Sequence, residues 1–368
     1  MRILIVKLSA LGDIAHALPT VDLINETAPN AEIHWLVESR FAPLVKLHQH
    51  VDVTITVNTR KWREVGRHGF VENISEIIHS FGKLKRQHYD LVIDLQGNVK
   101  SGIFTAATMA HARAGFPTHL AKEKLNVLAT NLRPRELSKK LPIRKQLKML
   151  TLYALRTVGY PELKRNDCPS KNGFRAPSAS VMREAMWIES LGVPPEHRLI
   201  GIHAGTTWQT KRWSTFYWAE LARRIVDSNL GSVILFWGNE PERKEASCIR
   251  AVRPDNVFLW RGGSLRSLVA ALTLLDLFVA PDTGPLHIAG LVGTPTVSLY
   301  RATSAFRNSP DGPLHRSLQS PLPCSPCLKK KCVDNDKCVR SITVGNVFKL
   351  VSENVLPGIR RKVWRTSS

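Results

Sequence analysis

Short apolar runs alternate with longer amphipathic stretches from the first residue onward, the pattern of βα units that close parallel sheets. In the first half the runs 2–7, 32–37, 53–57 and 89–95 predict strands, and the stretches 14–26 and 72–87 predict crossover helices. The pattern weakens over 160–195, where Pro, Ser, Asn and Gly accumulate. It restarts with predicted strands at 198–203, 233–237, 257–260, 277–280 and 296–300. The expectation is an α/β chain of two doubly wound domains, 1–165 and 197–345, joined by a linker over 166–196 and followed by a helix and basic tail over 346–368. Ligands of such sheets bind beyond the carboxyl ends of the strands, so the polar residues just after them are the places to look for chemistry.

Four such segments stand out. Lys7-Leu8-Ser9-Ala10-Leu11-Gly12-Asp13 follows the first strand, with Asp13 placed to cap a helix starting near Ile14 or to face a ligand over Gly12. In the run 89–101, Gln96 and Lys100 suit hydrogen bonds to a sugar or a carboxylate, while Gly97 suits an ordinary strand-end turn. After the strand 198–203 come Thr206, Thr207 and Lys211, donors that can meet charge growing on a leaving phosphate, in a stretch that equally suits a plain turn. The sharpest is Ala280-Pro281-Asp282-Thr283-Gly284-Pro285-Leu286-His287, a strand, a tight turn and a helix start whose free N–H groups form an anion site.

Charge changes the picture next. Fifty-two Lys and Arg against 30 Asp and Glu give a net charge of +22, which points to a polyanionic partner: nucleic acid, an anionic membrane or a phosphorylated substrate. Nine basic residues fall within 122–148 against Glu123 and Glu136, and Arg360-Arg361-Lys362-Val363-Trp364-Arg365 ends the chain as an interfacial anchor would. A nucleic-acid-binding protein is disfavoured, because neither an aromatic RNP-type strand nor a DNA-reading helix is present. The most apolar stretch, 268–280, is broken by Asp276, and the N-terminal strand meets Lys7 too early for a signal peptide, so a cytoplasmic location is expected. A P-loop and a G-x-G-x-x-G turn are both absent, which disfavours P-loop NTPases and dinucleotide dehydrogenases.

Cysteine spacing raises one further possibility. Cys324, Cys327, Cys332 and Cys338 have metal-ligand spacing, so a structural zinc or iron–sulfur cluster stands beside free thiols as a reading; Cys168 and Cys248 are isolated. Asp334-Asn335-Asp336 has the D-x-D form of metal-dependent glycosyltransferases but lies among lysines rather than at a strand end.

Taken together, these segments resemble the family 9 glycosyltransferases that build the inner core of lipopolysaccharide. The resemblance rests on 7–19, on 89–101, on Asp282-Thr283-Gly284 with His287, and on the cysteine cluster, in that order and across most of the chain. The first turn and Asp94-Leu95-Gln96-Gly97 favour the type I branch over type II or another family 9 enzyme with a different sugar or acceptor. The resemblance implies a GT-B architecture, two Rossmann-like doubly wound domains facing a central cleft, with acceptor bound by the first and donor by the second. It implies an inverting, metal-independent transfer of heptose from ADP-heptose to the 3-deoxy-manno-octulosonic acid (Kdo) of lipid A, without a cofactor, on the inner face of the inner membrane. Asp13 matches the general base, and Lys7, Ser9 and Gln96 match acceptor-side positions. Arg60, Lys61 and Arg63 occupy the stretch where the family grips acceptor phosphates or carboxylates. Thr206, Thr207, Lys211, Asp282, Thr283, Gly284 and His287 match the diphosphate site, and Glu242, in preference to Glu240, matches the ribose-binding acid. Gly262-Gly263 replaces a larger apolar residue near the adenine and implies a looser pocket.

Overall fold

The computed structural model describes residues 1–59, 81–160, 172–194 and 197–354. Arg60, Lys61, Arg63, Cys168 and the basic tail lie outside them. The chain divides into two compact units, Met1–Arg175 and Ala176–Ser368, each built on one parallel sheet.

The first unit carries β1 (Arg2–Val6), β2 (Glu32–Glu38), β3 (Val53–Val57), β4 (Leu91–Asp94) and β5 (Ala112–Ala114) in the order β3-β2-β1-β4-β5. β1 and β4 are apolar on both faces because helices cover both sides of a parallel sheet, which is why they read as unbroken hydrophobic runs. The order reverses between β1 and β4, and the loops after these two strands diverge there into a crevice. From β1 the chain enters α1 (Leu11–Ala17) and, across Pro19 at its first position, α2 (Pro19–Thr27). After β4 comes α3 (Val99–Ala107), capped by Asn98 and Ser101 reciprocally, then a 3-10 turn at Lys124–Ala129 and α4 (Ile143–Thr157), which packs on α1 and α2.

In the second unit β6 (Arg198–His203), β7 (Gly231–Phe236), β8 (Val257–Leu259), β9 (Leu277–Pro281), β10 (Thr296–Tyr300) and β11 (His315–Gln319) take the order β11-β10-β9-β6-β7-β8. Its reversal lies between β6 and β9. Trp213, Trp218, Leu221 and Ile225, the last three on the helix Thr215–Asp227, cover one face with the C-terminal helix Val344–Asn354. All nine expected strands are present within a residue or two at each end, and two more, β5 and β11, complete the edges.

Two expectations are corrected here. Helix α1 begins at Leu11 with Ala10 as its N-cap, so Asp13 is the third residue of the first turn rather than the cap. Within the stretch expected to be a linker, Ser178–Ser190 forms a helix of the second unit, tied to it by Glu184, which pairs with Arg261 at 2.7 Å and accepts from Trp260.

Candidate active site

The crevice of the first unit gathers Lys7 and Ser9 from the loop after β1 and Asp13 from the first turn of α1, with Asp94 at the end of β4 and Gln96 and Gly97 from the loop after it. Asp94 is the hub of the second loop. Its carboxylate accepts from the Gln96 and Gly97 amides at 2.8 and 3.0 Å, from Ser101 Oγ at 2.8 Å and from Asn126 Nδ2 at 2.6 Å. Burial raises its pKa despite these four donors. Gln96 Oε1 accepts from the Ser9 amide at 3.3 Å and so links the two loops. Gly97 has φ +72°, a left-handed conformation that suits glycine, and a Cβ there would sit 3.0 Å from the Phe116 ring. Its carbonyl accepts from the Glu123 amide at 3.1 Å, which draws the 117–123 segment across the crevice.

That segment delivers Lys122, whose Nζ lies 2.9 Å from Asp13 Oδ2. Burial opposes ionisation of Asp13, but the charges of Lys7 and Lys122, the Lys122 hydrogen bond and the Ala10 amide outweigh it and draw the carboxyl down to about 2. Lys7 is 3% exposed and donates to the Leu95 carbonyl at 2.8 Å. Burial lowers its ammonium to about 8, against the pull of Asp13. Lys7 is therefore an internal charge fixed behind Asp13, not a side chain extended toward an acceptor. Lys100 is corrected in the same way, since it donates to Glu38 at 3.0 Å and to Thr59 Oγ1 at 2.7 Å and has its charge met within the protein.

In the second unit the loop after β9 leads into the helix Gly284–Leu291 with Thr283 at the N-cap and Pro285 in the first turn. Thr283 makes no side-chain capping bond, and its Oγ1 is buried without a protein partner. The helix N-terminus, left without a capping side chain, can receive an anion. Asp282 is different: its carboxylate lies 2.7 Å from Lys211 Nζ and 2.9 Å from His287 Nε2, with Asn308 at 3.3 Å. Burial would push this carboxyl up, but the hydrogen bond and charge of His287, followed by Lys211, hold it well below the usual range. An ionised acceptor cannot be a phosphate ligand. Asp282 and His287 instead fix Lys211, which also stands over the Trp208 ring at 4.9 Å from its centroid.

Thr206 and Thr207 occupy the open loop after β6, partly buried and exposed respectively. Beside them Gly205 allows Glu242 to come close, since a Cβ there would lie 2.3 Å from the Glu242 carboxyl carbon. Glu242 sits in the first turn of the helix Glu240–Arg250 and accepts from the Gly238 amide at 2.8 Å through Oε2. Gly262, expected to loosen the pocket near the adenine, abuts Trp237: a Cβ there would meet the Trp237 ring at 2.9 Å, and Trp237 Nε1 donates to the Trp260 carbonyl at 2.7 Å.

The cysteine cluster lies in the second unit. Cys324, Cys327, Cys332 and Cys338 are free thiols, and among the described residues no group of three or more His, Cys, Asp or Glu is close enough to hold a metal ion. What fastens this loop is Arg301, fully buried, which donates to the Arg212 carbonyl and to the carbonyl and side chain of Asn335 at 2.9 and 2.8 Å. Asn335, the middle of the D-x-D string, is thus a structural anchor. Sequence reasoning did not single out Lys122 or Arg301 for the site, because their partners lie dozens of positions away and no spacing rule connects them; Trp208, three positions before Lys211, carries no motif that marks it.

The comparisons bear on the same segments. The profile of glycosyltransferase family 9 (heptosyltransferase) matches residues 78–337. Lipopolysaccharide heptosyltransferase 1 of Pseudomonas aeruginosa is 32% identical over 336 residues, 90% of this chain and 87% of that protein. Among solved structures, the Escherichia coli heptosyltransferase WaaC with ADP superposes with a TM-score of 0.75 at 24% identity, covering 96% of this chain and all of that one. A family 9 glycosyl transferase from Veillonella parvula gives 0.78 at 19% identity, covering 96% of this chain and 97% of that one. Both carry the GT-B fold expected here. With two parallel sheets, polar loops at both switch points and these matches across most of its length, the chain belongs to glycosyltransferase family 9, the heptosyltransferases.

Proposed function

We propose that this enzyme transfers heptose from ADP-heptose to the Kdo of lipid A during assembly of the lipopolysaccharide inner core, with Asp13 as general base. The observation that carries the reading is a carboxylate at the carboxyl edge of the first sheet, 38% exposed, held ionised by one buried and one half-exposed lysine. The acceptor hydroxyl loses its proton to Asp13 as its oxygen bonds to the anomeric carbon. The bond from that carbon to the diphosphate breaks in the same displacement, ADP leaves with the electron pair, and configuration inverts. On the donor side, Lys211 and the N–H groups at Thr283 and Gly284 meet the leaving charge, and Glu242 takes the ribose. Ser9 and Gln96 line the acceptor side, with Lys7 as the fixed charge behind the base.

The net charge of +22 supports a location against the anionic cytoplasmic leaflet, where lipid A phosphates are presented. No helix among the described residues is long and apolar enough to cross a membrane. The test is a donor panel of ADP-heptose, ADP-mannose and UDP-sugars offered with deacylated Kdo acceptor and read by product mass. One added heptose from ADP-heptose is expected. Product from a UDP-sugar alone, or only with an acceptor that already carries heptose, would overturn the assignment.

A further inference from the structure

The turn at Lys124–Ala129 carries two leucines that the catalytic reading does not use: Leu125 is 66% exposed and Leu128 80%. A single exposed leucine means little, since much of any protein surface is apolar. These two lie three apart on a 3-10 turn, where side chains at i and i+3 eclipse, so they stand on one face. The same geometry puts Asn126 and Ala129 together on another face, about 120° round the turn, and both are buried. Asn126 Nδ2 donates to Asp94 at 2.6 Å and to the Asn98 carbonyl at 2.9 Å. Gly102 of α3 admits the turn closely, because a Cβ there would lie 3.1 Å from Asn126 Nδ2 and 3.3 Å from the Ala129 Cβ. The leucines are therefore fixed outward by a polar anchor beneath them, with no folding role of their own.

Their surroundings are cationic. Lys122 and Lys124 are exposed just before them, and Arg135 shares with Lys124 a shallow basin lined by Pro117, Thr118 and His119. Of the nearby acids, Glu123 accepts from the Val99 amide at 2.7 Å and Glu136 is exposed. Two apolar side chains on a rigid turn ringed by lysine and arginine match the chemistry of a bilayer interface, where chains enter the acyl boundary and cations meet headgroup phosphates.

We propose that Leu125 and Leu128 form a membrane wedge that seats the first unit on an anionic bilayer, with Lys124 and Arg135 on the headgroups. The wedge lies on the segment that reaches Asp13 through Lys122, so docking there sets the base beside the plane from which a lipid-linked acceptor is drawn. This deepens the proposed function and rests on it only for the acceptor's location.

The full chain is sedimented with vesicles of phosphatidylglycerol and phosphatidylcholine, and with phosphatidylcholine alone. Wild type partitions onto the anionic vesicles, and the L125S/L128S variant loses about tenfold or more of that partition. Turnover of deacylated Kdo acceptor by the variant stays within about twofold of wild type, whereas turnover of vesicle-embedded acceptor falls with partition. Independently, Leu128→Trp gains tryptophan quenching by brominated acyl chains over the wild-type background. Undiminished partition of L125S/L128S, or no added quenching in Leu128→Trp, overturns the wedge. If wild type uses no Kdo acceptor at all, the functional reading fails while the vesicle and quenching results still decide the wedge.

Discussion

Lys122 Nζ and Asp13 Oδ2 meet at 2.9 Å across 109 positions of sequence, and this contact sets the resting state of the proposed base. A carboxyl at about 2 is a weak proton acceptor. Lys122 is 49% exposed, so an incoming acceptor carboxylate can take it and leave Asp13 a stronger base.

Removing Lys122 should therefore move the acid limb of the kcat/KM profile. In Lys122→Gln the Asp13 carboxyl rises toward the ordinary carboxylate range, and activity begins to fall at higher pH than in wild type. Lys122→Arg keeps the charge and the wild-type limb. A limb unmoved in Lys122→Gln would show that Asp13 does not govern it.

Asp13→Asn keeps the size of the side chain and removes its basicity, so ADP-heptose turnover falls on the order of 10²-fold or more. Measured by ADP release with deacylated acceptor, near-normal turnover would end the assignment of Asp13.

Lys7 should titrate near pH 8, observable by side-chain NMR of labelled lysine, and fall further in Asp13→Asn because the Asp13 charge supports its protonation. The folded value lies below the unfolded 10.5, so the native state carries a penalty below pH 8 that fades between 8 and 10.5. Stability from this group thus rises with pH across that window, and Lys7→Met abolishes the slope. Denaturant titrations at pH 7.5 and about 10 would read it.

Asp282 contributes a gain rather than a penalty, with a pH slope of the same sign in a lower window. Its folded pKa is depressed, so its contribution is complete above the unfolded value and is lost as pH falls below it. Asp282→Asn should cost about 3 kcal/mol at neutral pH, by stranding Lys211 and His287, and the gap to wild type should shrink as the solution is acidified from pH 5 toward 3. ADP affinity should drop as well, since Lys211 loses its anchor.

Gly205→Ala separates structure from binding. The added Cβ meets the end of the Glu242 side chain, which can swing away, so thermal stability changes by less than about 1 kcal/mol. The displaced carboxylate no longer reaches a ribose, and the Kd for ADP rises about tenfold in calorimetry. Unchanged affinity would remove Glu242 from the donor site.

The architecture could be read early because it depends on local pattern. Buried parallel strands such as β1 and β4 must be apolar on both faces, so their runs mark the sheet and place Asp13, Gln96 and Asp282 at its carboxyl edges. The edge strands β5 and β11 escaped notice because one is three residues long and the other, His315–Gln319, is largely polar. What each polar residue does once it reaches the edge was decided by partners that no spacing rule reveals. Lys7 and Lys100 turn inward to a carbonyl and a carboxylate, Asp282 faces Lys211 and His287 rather than a phosphate, and the cysteines stay apart although their spacing suits a metal. Periodicity reports burial because every turn of helix or strand repeats it, whereas an ion pair is a single long-range event whose geometry exists only after the chain has packed.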